Sequence, residues 1–339
     1  MPLEFFFKKI NKCLVEICWS HWRRLGAYVE GPMNYCSTDP EALIVLTSVV
    51  GKNDERLLEV TAQWIHFYEH LVPIERMKTL LNKLSYDAPP YPHFSLLRNI
   101  LRGALEEKQK LRWNSVLKIL ESEGGGLEER TRYEVESRKK LEGHEKIITN
   151  NRQLILRYLF GPVSRADILY CLFVTQNAKK SMFFVVSASQ LAQHLHYNRS
   201  NIHLILKDLE DGSIVKKIKR PVHKAVSSYT FSEEFILGIE SEIKEKAYID
   251  WSPIAFIALE LNRLENKFAG LKNETILKVE AQQTLENILE KISMMAAYSY
   301  VPPLPQEMLP RTLEHVKVED LMKRILKIVE NILLFVTTQ

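Results

Sequence analysis

The stretch that most constrains this chain runs from Ser187 to Phe231, where two short helical patterns are followed by a glycine and a basic run. Ser187 and Gln190 have the spacing of a capping box, in which each side chain satisfies a backbone amide that the start of a helix leaves open. Leu191, Ala192 and Leu195 give that first helix its apolar face. After a tight turn around Tyr197 and Asn198, residues Ile202, Ile205, Leu206 and Leu209 fall at i, i+3, i+4 and i+7. This predicts a second helix over 199–211 with a single core-facing stripe. Gly212 predicts a left-handed helix stop. Ile214 to Ile218 alternates as a strand does, and Ser227 to Phe231 reads as the strand that returns.

At about 100° per residue, Ser200, His203, Leu204, Lys207 and Asp211 lie away from the stripe and face outward. The basic residues from Gly212 to Lys224 are Lys216, Lys217, Lys219, Arg220 and Lys224, with no acid among them. Such a run suits phosphate binding. Lysines also guard exposed edge strands against pairing, and it is the adjoining helix pair that favours phosphate. Two helices followed by a basic hairpin make a winged helix-turn-helix. In that arrangement the start of the second helix meets base edges in the major groove, so Asn198, Arg199, Ser200, Asn201 and His203 are the expected readers of double-stranded DNA. Lys207, Lys216, Lys217, Lys219, Arg220 and Lys224 are the expected phosphate contacts.

From Ile147 to Glu240 the chain resembles winged-helix transcription regulators of the MarR and ArsR type. The resemblance rests on Leu159 to Leu169, Gln190-Leu191-Ala192, Tyr197 to Ile202, Leu209, Gly212 to Val215 and Tyr229-Thr230-Phe231. The wing departs from the family pattern in carrying Pro221 and no glycine. The rest of the chain resembles a prokaryotic multi-domain group with Trp22-Arg23-Arg24-Leu25-Gly26, Asp39-Pro40-Glu41-Ala42-Leu43 and Trp64 upstream of such a domain. That second resemblance implies no activity.

Outside this region nearly every periodic segment is helical, so the expected fold class is mainly α: a helical N-terminal domain, a central winged helix-turn-helix with a small β-wing, and a helical C-terminal domain. The expected boundaries are 1–122, a charged linker over 123–146, 147–240, and 241–339. Asp39 before Pro40 marks a helix start. Leu57, Val60, Trp64, Phe67 and Leu71 make a helical stripe. The linker opens on Gly124-Gly125-Gly126, with no Gly-Lys-Ser or Gly-Lys-Thr after it, which excludes a Walker loop. Near the end, Leu321, Ile325, Ile328, Ile332 and Phe335 repeat like a coiled-coil seam. Met322, Leu326, Val329, Leu333 and Val336 widen it to about half the circumference, predicting a second packing partner, read here as another subunit of a homodimer.

A length of 339 residues leaves room for two or three folded units, and a net charge of +4 excludes a general nucleic-acid coating protein. Four scattered cysteines, Cys13, Cys18, Cys36 and Cys171, suit a reducing cytosol rather than a disulfide framework. The N-terminus lacks the order of a signal peptide, and no run approaches the roughly 20 apolar residues of a membrane helix. The expected location is the cytoplasm, with no membrane partner.

Several chemical constellations fail on spacing. Cys13, Cys18, His21 and Cys36 match no closed zinc pattern, and His66 with His70 lacks a third ligand nearby. His194 and His196, with Cys171 and His203, sit where metal-sensing winged helices place ligands, but histidines beside a DNA surface more often meet phosphate. There is no nucleophile elbow, glycine-rich nucleotide loop, HExxH or kinase set. The sequence therefore predicts a DNA-binding regulator with no catalytic residues, metal or cofactor. A protein-interaction module, such as the antitoxin or adaptor of a two-protein system, is the alternative.

Overall fold

The computed structural model describes residues 3–32, 38–87, 94–122, 141–143, 147, 151–178, 186–219, 227–232, 251–270, 273–298 and 317–337. Within them the protein is mainly helical with one small antiparallel sheet. Helices α1 (Leu3–Arg24), α2 (Pro40–Val50), α3 (Glu55–Tyr68), α4 (Ile74–Asp87), α5 (Ser95–Ala104) and α6 (Glu107–Ser122) come first. Next are α7 (Arg152–Phe160), α8 (Ser164–Ala178), β1 (Val186–Ser187), α9 (Ala188–Leu195), α10 (Arg199–Asp211), β2 (Val215–Lys219) and β3 (Ser227–Phe231). Then follow α11 (Ser252–Gly270), α12 (Glu274–Tyr298) and α13 (Val318–Thr337).

Local chemistry explains the helix starts. The Asp39 side chain accepts the Ala42 amide at 3.1 Å, and Pro40 opens α2 with its backbone angle already suited to a helix. At α9 the capping box closes both ways: Ser187 Oγ accepts from the Gln190 amide at 3.2 Å, and Gln190 Oε1 accepts from the Ser187 amide at 2.9 Å.

The buried side chains divide into two clusters. The smaller one joins α8, α9, α10 and the sheet through Ile168, Leu191, Ile202, Leu206 and Tyr229. The strands run in the order β1-β3-β2, so β2 is an edge, with Val215 opposite Phe231 and Lys217 opposite Tyr229. The larger cluster is continuous from Phe6 on α1, through Trp22, Trp64 and Trp113, to Ile257 on α11 and Ile325 on α13. Residues 1–122 and 241–339, read from sequence as separate domains, thus contribute their described helices to one core.

This packing accounts for the wide apolar face of α13 without a second subunit. The helix lies against both α1 and α12, and Leu321, Met322, Ile325, Ile328, Val329 and Ile332 are buried within the chain. The two partners that its arc requires are both internal, which removes the sequence argument for a homodimer.

The stretch read as a linker has an anchored end. Ala27 forms an isolated antiparallel bridge with Leu141, which is buried, and the Glu142 amide donates to the Gly26 carbonyl at 2.7 Å. Gly26 has φ +93°, and a Cβ there would stand 2.4 Å from the Ile147 side chain. Only glycine meets both demands.

Candidate nucleic-acid interface

Helix α10 is capped by Asn198, an expected base reader, whose side chain accepts the Ser200 amide at 2.9 Å. From there Ile202, Ile205, Leu206 and Leu209 turn into the core, as their spacing predicts. Arg199, His203 and Lys207 follow one another on successive exposed turns, with Ser200 exposed beside them. Among the described residues none of these three long side chains forms an ion pair. Asn201 is also exposed, but its Nδ2 donates to Ser164 Oγ at 3.1 Å, so it leans toward the start of α8.

The cationic side chains of α10, Arg199 and Lys207, both precede its acids. Its later acids are Asp208, Glu210 and Asp211, and Asp208 is paired with Arg165 at 3.3 Å. The free amides at a helix start carry partial positive charge, which adds to Arg199 in favouring an anion there. Lys216 and Lys217 of β2 are exposed as well. Arg220, Lys224 and the side chain of Lys219 lie outside the described residues, as does Pro221.

The turns around α10 differ from the sequence expectation. Gly212 has φ −80°, an ordinary right-handed value, and Ser213 takes the left-handed position at φ 58°. Between α9 and α10 it is His196 that is left-handed, at φ 56°. Its amide donates to the Ala192 carbonyl. At both turns the left-handed residue is held by its neighbours' packing and hydrogen bonds rather than by glycine's freedom.

Behind the turn lies a buried ionic network that local sequence reading misses. Arg76 on α4 meets the carboxylates of both Asp39 and Glu41, and its Nε donates to the Leu195 carbonyl at 3.0 Å. Arg157 on α7 clamps Glu41 through Nη1 at 2.8 Å and Nη2 at 3.0 Å, while its Nε reaches Asp167 at 2.8 Å. Asp167 also accepts from Gln153 at 3.0 Å and from the Tyr197 hydroxyl at 2.8 Å. Arg76, Glu41 and Asp167 have no exposed surface, and Arg157 is all but fully buried. The network thus runs from α2 and α4 through α7 and α8 to the α9–α10 turn.

Burial pushes the Glu41 carboxyl up, against the pull of Arg157 and Arg76. Burial acts the same way on Asp167, but the charges of Arg157 and Arg76 and the hydrogen bonds from Arg157 and Gln153 outweigh it and hold that carboxyl below its ordinary value. The Tyr197 hydroxyl is pushed well up by burial and by the Asp167 charge, so it stays a donor.

The candidate metal ligands do not converge. His21 Nδ1 lies 3.1 Å from Thr38 Oγ1, and its ring packs edge-on against Trp251 at 4.1 Å. Cys18 is buried, with its thiol pushed up to about 12 by that burial. His66 Nδ1 lies 3.0 Å from the Ala104 carbonyl. His196 is buried while His203 is exposed. Among the described residues no three His, Cys, Asp or Glu side chains stand together as a metal site would need, and Cys36 lies outside them. Nor is any helix among them long and apolar enough to cross a membrane. No protein-family model, curated protein or solved structure matches the chain.

Proposed function

We propose that the chain is a cytoplasmic DNA-binding transcription regulator in which α8, β1, α9, α10, β2 and β3 form a winged helix-turn-helix. The order helix, strand, helix, helix, strand, strand and the separate core of this unit support that reading. The observation that carries it is the exposed row Arg199, His203 and Lys207 on α10, with Ser200 at the helix start and Lys216 and Lys217 on the neighbouring edge strand. Arg199 and Ser200 read base edges, with His203 one turn on, and Asn201 joins them by releasing Ser164. Lys207, Lys216 and Lys217 hold phosphates, together with Lys219, Arg220 and Lys224. The helices of 1–122 and 241–339 form the body that carries the reading unit, 147–240.

Salt titration of the full chain on duplex DNA tests this. Each neutralised phosphate contributes about −0.9 to the slope of log K against log salt. Replacing Lys216 and Lys217 with Ala flattens the slope by about one unit per lost contact. An unchanged slope, or binding no better than that of an unrelated protein of equal charge, sinks the reading.

One observation favours the protein-docking alternative. Tyr158, Leu159, Phe160 and Val163 are exposed in a single short stretch, Leu159 by 67%. A run of exposed apolar side chains of this kind suits an interaction site. Co-purification with a partner that Leu159→Ser and Phe160→Ser abolish, in a chain that ignores DNA, would establish it.

A further inference from the structure

Two contacts from outside α9 and α10 hold the turn between them. The last carbonyl of α9, at Leu195, belongs to the group that a helix end leaves without an internal partner. It is satisfied by Arg76 Nε from α4, in a side chain with no exposed surface. Two residues on, the buried Tyr197 hydroxyl donates to Asp167, which Arg157 in turn ties to Glu41 of α2. His196, between the two anchored positions, takes the less favoured left-handed conformation. Asn198, the cap of α10, follows directly.

We propose that Arg76 and Tyr197 are positioning residues for DNA reading, through which the α2–α4 body sets the angle at which the start of α10 is presented. The inference rests on the DNA-reading role proposed for α10. Base readout needs side chains placed to within a fraction of an ångström, whereas phosphate contacts tolerate more, so loosening this turn costs specific binding before non-specific binding. The N-terminal helices are thereby part of the reading machinery.

The test uses full-length Tyr197→Phe, which removes one hydroxyl and keeps the ring. Arg76→Lys keeps a charge beside Asp39 and Glu41 but lacks the Nε–H that reaches Leu195, and is read in the same way. Ile325→Val, on α13 in the core of the helical body, serves as a control for mild destabilisation. Affinity is measured for a duplex selected from a random pool by the wild-type chain and for its scrambled counterpart. Both turn variants lose roughly tenfold on the selected duplex, about the worth of one hydrogen bond, and little on the scrambled one. Ile325→Val leaves the ratio unchanged. Equal losses on both duplexes, or a ratio that Ile325→Val moves as far, would overturn the proposal. Should the wild-type chain select no duplex, the DNA-reading role fails, and hydrogen exchange still tests the anchor. Amides from His196 to Ser200 exchange faster in both turn variants if Arg76 and Tyr197 hold the turn, and unchanged exchange rejects that.

Discussion

Arg76 and Leu195 stand 119 residues apart in sequence, yet the guanidinium Nε of the first donates to the backbone carbonyl of the second at 3.0 Å. This bond lies where the helical body meets the unit that carries α10. Around it, two guanidinium groups face three carboxylates in a buried cluster, so the loss of either guanidinium leaves buried carboxylates short of a partner.

Arg157→Met is the sharpest probe of that cluster. It leaves Glu41 and Asp167 buried without the clamp, a change that costs about 3 to 5 kcal/mol in such settings. Asp208→Asn, which breaks the half-exposed pair with Arg165, costs at most about 1 kcal/mol. Urea unfolding of both variants separates the two classes. Similar small losses would mean that the network contributes little to holding the units together.

Loss of stability in acid has a specific source in His21. Burial, aided by Arg24 and opposed by Asp39, pushes its imidazole down to about 3, from an ordinary 6.5. Between those values the unfolded chain binds a proton that the fold refuses. Stability is therefore full above pH 6.5 and falls toward pH 3 by up to about 1.4 kcal/mol per unit. His21→Gln lowers stability at neutral pH but flattens the decline between pH 6 and 4. Parallel pH profiles for wild type and variant would refute this.

For α13 the expected outcome of truncation is loss of the fold. A chain ending at Pro310 lacks the helix that covers α1 and α12 and so loses cooperative unfolding. Ile325→Ala alone costs about 2 to 5 kcal/mol, the range for deleting a fully buried isoleucine side chain. Circular dichroism and urea titration decide it. A truncated chain that folds normally would return α13 to the role of an external interface.

What the sequence revealed divides along local and long-range lines. The capping box at Ser187 and Gln190, the stripe from Ile202 to Leu209 and the cap at Asp39 were legible because each depends on residues within one or two turns. The wide face of α13 was legible too, but not its partner: periodicity counts the surfaces a helix must bury and says nothing of which chain supplies them. Asp39 shows the same limit. Its capping role follows from Pro40, whereas its contact with Arg76 exists only once α2 and α4 are packed. Gly212 misled because glycine permits the left-handed turn without requiring it, and Ser213 takes that position.

The central claim is that α10 reads DNA, and it is tested most directly by selecting random-sequence duplexes on the full chain, with Arg199→Ala in parallel. The wild-type pool converges on a common site, and Arg199→Ala relaxes it at one position, with a loss there of about 1 to 3 kcal/mol and little change in non-specific affinity. A wild-type pool that never converges, or an identical site selected with undiminished affinity by Arg199→Ala, would contradict the account.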